Sequence, residues 1–418
     1  MTAHRPFLGA LPYGVRDLFL EEAARLSSLE DTWRRLFETW AYVRVIPPTY
    51  EHYDVLLTGS GMEMEEQVFR VLDREGNILA LRPDLTTQVA RIVGTKLFDL
   101  PLPLRFYYVA SVFRFNEPQA GREREFRQAG VELIGASTAD ADAEVLALTI
   151  EALRGAGLPE FQLNVGHLGL FRALIAEARL APTLVDDVRA ALNRKDAEGL
   201  AEAVGRAGLS GPIADALQSL PTLCGGPEVL EAAAALSRHP SAHAAIERLQ
   251  AVRGLLELRG MLGHVIFDLG ETRGMDYYTG IAFEGFCPGL GFPIASGGRY
   301  DELIGRFGQA RPAVGVALST ERILLALNGN GRRNLTRPDL LAATAVARER
   351  SAQIEALRQR GWRVEADVLE RSEGDLRALA TQRGIPNLAL EATSERVRLV
   401  SPQGESWLAW SDLPGRPA

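Results

Sequence analysis

Several of the strand-like runs of this chain stand too close together to be joined by helical crossovers. "RFYYVASVFRF" (Arg105–Phe115), "VELIG" (Val131–Gly135), "YYTGIAFEGF" (Tyr277–Phe286) and "PIASGG" (Pro293–Gly298) are β-branched and aromatic, and only Cys287 to Phe292 separate the last two. Parallel neighbours need a dozen or more residues of crossover, so this spacing predicts antiparallel pairing. Between "FQLNVG" (Phe161–Gly166) and "HVIFDLG" (His264–Gly270) the periodicity turns helical, as in "LFRALIAEARL", "LVDDVRAALNR" and "AHAAIERLQAVRGLLELRG". The expectation is an α+β chain whose sheet is interrupted by an all-helical insertion at about 168–262.

Ahead of the sheet, Asp17 to Trp40 reads as an amphipathic helix with Ala23, Leu26, Trp33, Phe37 and Trp40 on one stripe. Asp17 is placed to cap its start. Pro47 and Pro48 end a short strand, and Arg82 to Ala90 reads as a loop entering a helix. With 418 residues the chain exceeds one compact core. The polar "NGNGRRNLTRP" supplies a linker at residues 331–338, which separates a core of 1–330 from a small domain of 339–418. That last part alternates strand and helix ("LLAATAV", "ERSAQIEALRQRG", "WRVEADV", "EGDLRALATQRG", "IPNLALE"), which predicts a small α/β domain with a parallel sheet. "RVRLVSPQGESWLAW" adds a hairpin turning at Pro402 to Gly404.

Charge and composition remove several function classes. A net charge of −8 disfavours a generic polyanion binder. No run approaches the roughly 20 apolar residues of a membrane span, and the N-terminus lacks a basic segment followed by an apolar stretch, so a cytoplasmic protein is expected. Cys224 and Cys287 sit in unrelated contexts and read as reduced thiols, and the six histidines are scattered. No metal and no cofactor are expected. Lys96 and Lys195 are the only lysines, so the arginine bias is a property of the whole chain and each arginine must be judged by context.

Four stretches carry chemistry. "SVFRFNEPQAGREREFRQAGVELIG" (Ser111–Gly135) follows an aromatic run with Arg114 and then glutamine and carboxylates. "LRPDLTTQVAR" sets Asp84, Thr86 and Gln88 at alternate positions after a proline. "TRGMDYYTG" places Arg273, Asp276 and Tyr278 ahead of a strand, and "SGGRYDELIGRFG…RPAVGVALSTERILLAL" leads from a glycine pair to Arg322 at the start of an apolar helix. Together they resemble the class II aminoacyl-tRNA synthetase core in its histidyl-tRNA synthetase branch, over Leu11 to Leu327. The first motif falls around Trp40 to Glu51, and the last domain resembles a truncated anticodon-binding domain. The regulatory subunit of ATP phosphoribosyltransferase shares this core. "RPDLTTQVAR", "FQLNVGHLGLFRALI" and "CGGPEVLEAA" are similar to that family's segments, where a synthetase normally reads R-P-E-G-T in the first of them.

The resemblance implies a histidine site of Asp84, Thr86, Arg114, Gln128, Glu132, Arg273, Tyr277 and Tyr278. Asp84, Thr86 and Gln128 match positions that hold the ammonium group, and Glu132 and Tyr278 match groups facing the imidazole. As bare sequence, Glu132 is also a strand carboxylate within reach of Arg124 or Arg127, Arg114 a sheet-edge arginine, and Arg273 a partner for Asp276 or Glu271. The nucleotide site is expected to be vestigial at Arg114, Asn116, Ser319 and Arg322. The second motif reads Arg114, Phe115, Asn116, with Glu117 one place late, and a one-residue slip on a strand turns a side chain to the opposite face. Ser319 stands where a synthetase has glycine, and Leu85 replaces another glycine of the pocket. No catalytic residue is assigned.

From Thr336 onward twelve arginines balance twelve acidic residues, which offers little phosphate neutralisation, so no nucleic acid is expected as a partner. The resemblance implies a non-catalytic subunit that binds a short-form ATP phosphoribosyltransferase catalytic chain, pairs with itself as a homodimer in a hetero-oligomer, and takes L-histidine as effector. An active histidyl-tRNA synthetase is the alternative, and an enzyme adenylating another substrate the third. Histidine-dependent pyrophosphate exchange separates them.

Overall fold

A computed structural model describes residues 9–58, 62–116, 123–272, 278–327 and 337–413, with only the backbone of Met62 and Glu63. Glu117, Arg273, Asp276, Tyr277 and residues 331–336 of the expected linker lie outside the described residues. The chain divides into one unit of Met1–Asp17 with Leu26–Gly331 and a second of Leu18–Arg25 with Arg332–Ala418.

The chain opens with α1 (Leu20–Thr39), which completely buries Trp33 and Phe37, one turn apart on its inner stripe. Burial of a side chain such as Phe37 contributes about 2–3 kcal/mol. Trp33 Nε1 also donates to Ala152 O at 2.9 Å. Asp17 is not the cap residue of this helix, which starts only at Leu20, itself in a left-handed conformation (φ 50). Then come β1 (Val43–Arg44), β2 (Tyr50–His52), α2 (Tyr53–Leu57), α3 (Met62–Glu66), β3 (Arg70–Leu72) and β4 (Ile78–Leu81). Strands β2, β4 and β3 form a small antiparallel sheet in that order.

The next elements are α4 (Thr86–Lys96), β5 (Leu104–Phe113), β6 (Glu125–Ile134), α5 (Ala139–Gly155) and β7 (Gln162–His167). The insertion holds α6 (Leu168–Ala178), α7 (Pro182–Asn193), α8 (Ala197–Arg206), α9 (Pro212–Ser219), β8 (Cys224–Gly225), α10 (Glu228–Ala234) and α11 (Pro240–Leu258). The chain returns through β9 (Val265–Asp268), β10 (Ile281–Phe286), β11 (Ala295–Arg299), β12 (Ala313–Ser319) and α12 (Thr320–Leu327).

The nine-stranded sheet runs β1-β5-β6-β12-β11-β10-β7-β9-β8. Its pairings are antiparallel except β1–β5 and β7–β9. The β7–β9 pair is parallel because the whole helical insertion serves as its crossover. Alternation divides the sheet's faces. Tyr107, Val109, Ala129, Val131, Leu133, Val314, Val316 and Leu318 join the large core with α1 and α5. Tyr108, Val112, Ile134 and Ala313 pack on the opposite face with Val89, Ala90 and Val93 of α4 and with Tyr300 and Ile304.

The second unit has β13 (Leu340–Ala342), α13 (Thr344–Glu349), α14 (Ser351–Gln359), β14 (Val364–Ala366), α15 (Glu373–Arg383), β15 (Asn387–Ala392), β16 (Arg396–Ser401) and β17 (Gly404–Ala409). Its sheet order is β14-β13-β15-β16-β17, parallel across the first three strands and antiparallel in the final hairpin. Leu340, Ile354, Leu357, Trp362 and Val397 form its core. Among the described residues no helix is long and apolar enough to cross a membrane.

Candidate functional site

Strand β6 carries Gln128, Gly130 and Glu132 at a period of two, so the three share the face turned toward α4. In register beside them stand Ser319, Ala317 and Gly315 of β12, and Ala110, Tyr108 and Phe106 of β5. The small residues make room for the large ones. A Cβ on Gly315 would lie 1.8 Å from Glu132 Oε2, and one on Gly130 would lie 2.5 Å from the Tyr108 hydroxyl oxygen. The neighbouring backbone presses on the same positions, with Val316 O 2.5 Å from a Cβ on Gly130 and Val131 O 2.6 Å from one on Gly315.

Glu132 is 1% exposed. Its Oε1 accepts from Thr86 Oγ1 at 2.8 Å and from the Tyr108 hydroxyl at 3.3 Å, and its Oε2 accepts from the Tyr300 hydroxyl. Burial pushes its carboxyl up to about 7 against the pull of those three hydroxyls, and the nearby Asp84 raises it further. Asp84 is itself held above the usual carboxylate range by burial, opposed by Arg114 and by backbone N–H groups at the start of α4. Its Oδ1 accepts from Thr87 N–H at 3.3 Å, as suits an anion at a helix N-terminus. Nearly buried Gln128 leaves Oε1 without a hydrogen-bond partner among the described residues. Tyr278 closes the same face. Burial raises its phenol, Ser296 bonds to it, and a Cβ on Gly298 would strike its ring at 2.7 Å.

Asp84, Thr86, Arg114, Gln128, Glu132 and Tyr278 thus gather around one face of the sheet. Arg273 and Tyr277, expected beside them, lie outside the described residues. Glu132 does not pair with Arg124 or Arg127. Arg127 bonds to Glu30, and the Arg124 guanidinium lies 4.3 Å over the Phe115 ring. Thr86, expected at the ammonium end, spends its hydroxyl on Glu132. Leu85 is fully buried in the core around α4 with Val89 and Tyr108.

The expected nucleotide side looks different. Arg114 Nε donates to Pro83 O at 2.9 Å, and its guanidinium lies 5.4 Å from the Phe126 ring centre. Arg322 Nη1 donates to Pro293 O at 2.7 Å and stacks 4.9 Å over Phe292. Ser319 pairs with Gln128 at the end of β12. Strand alternation, expected to set the second motif, does not extend to it, because β5 stops at Phe113 and Asn116 N–H turns back to Arg114 O at 2.9 Å. Asn116 is therefore placed by a turn and not by strand alternation.

Three contributors were not singled out from sequence. Tyr108 shares its face of β5 with Phe106 and Ala110, the partners of Glu132 and Gln128, so counting by twos along that strand would have found it. Tyr300 lies within the quoted "SGGRYD", and Gly315 within "RPAVGVAL". One buried and one half-buried carboxylate, phenols and an unpartnered amide oxygen form a site for a small molecule rich in donors and positive charge.

The chain was compared with known proteins. The histidyl-tRNA synthetase family profile matches residues 14–323. An ATP phosphoribosyltransferase regulatory subunit of Moorella thermoacetica is 41% identical over 90% of this chain and 96% of its own length. One of Caldanaerobacter subterraneus is 37% identical over 93% of this chain and 98% of its own. A Bacillus halodurans crystal structure described as an ATP phosphoribosyltransferase regulatory subunit/histidyl-tRNA synthetase superposes with a TM-score of 0.83 at 32% identity, over 93% of this chain and all of that one. A Nostoc histidyl-tRNA synthetase reaches the same TM-score at 21% identity over 97% of this chain and 98% of its own, a likeness of fold alone.

Proposed function

This chain belongs to the family of ATP phosphoribosyltransferase regulatory subunits, and we propose that its synthetase-like pocket senses L-histidine and carries feedback to the catalytic chain. It is a non-catalytic subunit serving histidine biosynthesis on a class II synthetase-like core. The proposed reading adds the effector, the site, a homodimer within a hetero-oligomer with the short-form catalytic chain, and action on the first step of that biosynthesis in the cytoplasm.

The observation that carries the effector is the presence of buried Glu132 and half-buried Asp84 on the sheet face that also holds the unpartnered Gln128 oxygen. L-Histidine brings an ammonium group for a carboxylate and an imidazole whose two nitrogens need partners at opposite ends. Arg114 and Arg322 support the loss of nucleotide chemistry, since each donates to a backbone carbonyl and lies over an aromatic ring. A regulator of this kind acts through a coupling free energy on the order of 1–3 kcal/mol between effector and assembly.

The test is calorimetric titration of L-histidine into the purified chain and into Glu132→Gln, paired with histidine inhibition of the reconstituted complex. Loss of about tenfold or more in affinity is expected, since a charge-assisted partner is removed, together with loss of inhibition. Wild-type affinity in the variant would move the sensor away from this pocket.

A further inference from the structure

The segment that delivers Tyr278 to the site is gripped by the helical insertion at both of its described ends. Upstream, Leu269 N–H donates to Leu223 O at 3.0 Å. Gly270 lies so near that an added Cβ would meet Leu220 O at 2.9 Å. Lys195 Nζ bonds both carboxylate oxygens of buried Asp268 at 2.8 Å, and Asp268 Oδ1 accepts from Gly270 N–H at 3.1 Å. The buried Thr272 hydroxyl donates to Asn193 Oδ1 at 2.6 Å. Downstream, Arg172 of α6 donates from Nη2 to Tyr278 O at 2.7 Å and from Nη1 to Thr279 O at 3.4 Å. Leu168 N–H, at the start of α6, donates to Gly280 O at 3.0 Å.

Lys195 is unusual on two independent grounds. It ends α7 in the left-handed conformation (φ 55), with Lys195 N–H on Leu192 O and Asp196 N–H on Ala191 O. That helix-ending position favours glycine, and a side chain there is strained. It is also a lysine in a chain whose 46 basic residues are otherwise arginine except for Lys96. Its compact ammonium sits on both oxygens of the buried Asp268 while the lysine side chain itself stays 40% exposed. A forked guanidinium has a different reach and geometry. Strain kept at one residue and offset by one specific contact is the pattern of a position held for a task.

We propose that the insertion is the positioning device for the Tyr278 side of the site, with Lys195, Asn193 and Arg172 as positioning residues. A shift of α6 then reaches Tyr278 through Arg172, a shift of the turn after α7 reaches Asp268 and Thr272, and occupancy of the site reaches α6 by the Arg172 contact. Only the identity of the ligand rests on the histidine reading above.

Hydrogen exchange on the full chain tests the positioning without ligand. Lys195→Gln and Arg172→Gln should speed exchange at residues 269–272 and 278–281 by about tenfold or more, leaving β5 and β6 protected, because each removes a charge-assisted hydrogen bond. Lys195→Arg, which keeps the charge, should restore part of the protection. Asn193→Ala is the milder variant, read in the same way should either of the others expose the whole sheet. L-Histidine affinity should fall by about fivefold or more in the variants that loosen the segment. Unchanged exchange at 278–281 would overturn the positioning, and faster exchange with unchanged affinity would overturn the link to the site. A wild-type chain that takes up no L-histidine would sink the histidine reading instead, with the exchange result still deciding the positioning.

Discussion

A carboxylate at the centre of a sheet is tolerated only when its neighbours supply donors. Glu132 receives three hydroxyls and still sits at about 7, and Glu321, which accepts from Arg127 N–H at 2.8 Å, is pushed up to about 7 by burial as well. Raised carboxyls stabilise the fold fully below their ordinary value near 4.5, and that contribution is lost as pH rises through 7. His167 works in the opposite sense. Burial and three nearby arginines lower it to about 4, so its share is complete above 6.5 and lost as pH falls through 4. The clean window is therefore pH 6.5 to 8. There the free chain should lose stability on the order of 1–3 kcal/mol, and Glu132→Gln should lose less, by thermal denaturation at stepped pH. Identical slopes would mean that Glu132 ionises without cost. Asp84, Gln128 and Glu132 were legible as candidate site residues through the family resemblance that their motifs carry. Tyr300 and Gly315 were not, since their approach to Glu132 depends on how β11 and β12 lie beside β6, and no local pattern encodes that register.

Elements were easier to read than contacts. Short connections gave away the antiparallel strands, and a helical period gave away the insertion, because both signals are local. The parallel β7–β9 pair was hidden, since its partners are brought together only after six helices have folded between them. The end of β5 at Phe113 was hidden too, as the aromatic run continues through Phe115 while the chain already turns. One element carries a prediction about assembly. Strand β1 is an edge of the nine-stranded sheet, and around it Val43, Ile46 and Tyr50 are exposed, as are Leu72 and Ile78 of the small sheet. An edge with uncovered apolar side chains is a template for another copy. Sedimentation should find the wild-type chain as a dimer and Ile46→Glu shifted toward monomer, because a charge at the centre of such a face is costly to bury. A wild-type monomer across the micromolar range would remove this face as the self-association surface.

At the scale of the whole molecule, a subunit without chemistry of its own can exert control by binding an effector and the catalytic chain with unequal preference for the same states. Linkage then fixes a symmetry that no residue-level observation supplies. If histidine changes the affinity of this chain for the catalytic chain by some factor, the catalytic chain must change the affinity for histidine by that same factor. Typical couplings correspond to about 5–150-fold, well within calorimetric reach. The experiment titrates L-histidine into the free chain and into the preformed complex, and separately titrates the two chains with and without saturating histidine. Equal ratios are expected. Inhibition of the complex with a ratio of one in both titrations would mean that histidine changes the catalytic rate without changing assembly. Feedback would then have to travel within an intact complex, through contacts such as those joining the insertion to Asp268, Thr272 and Tyr278.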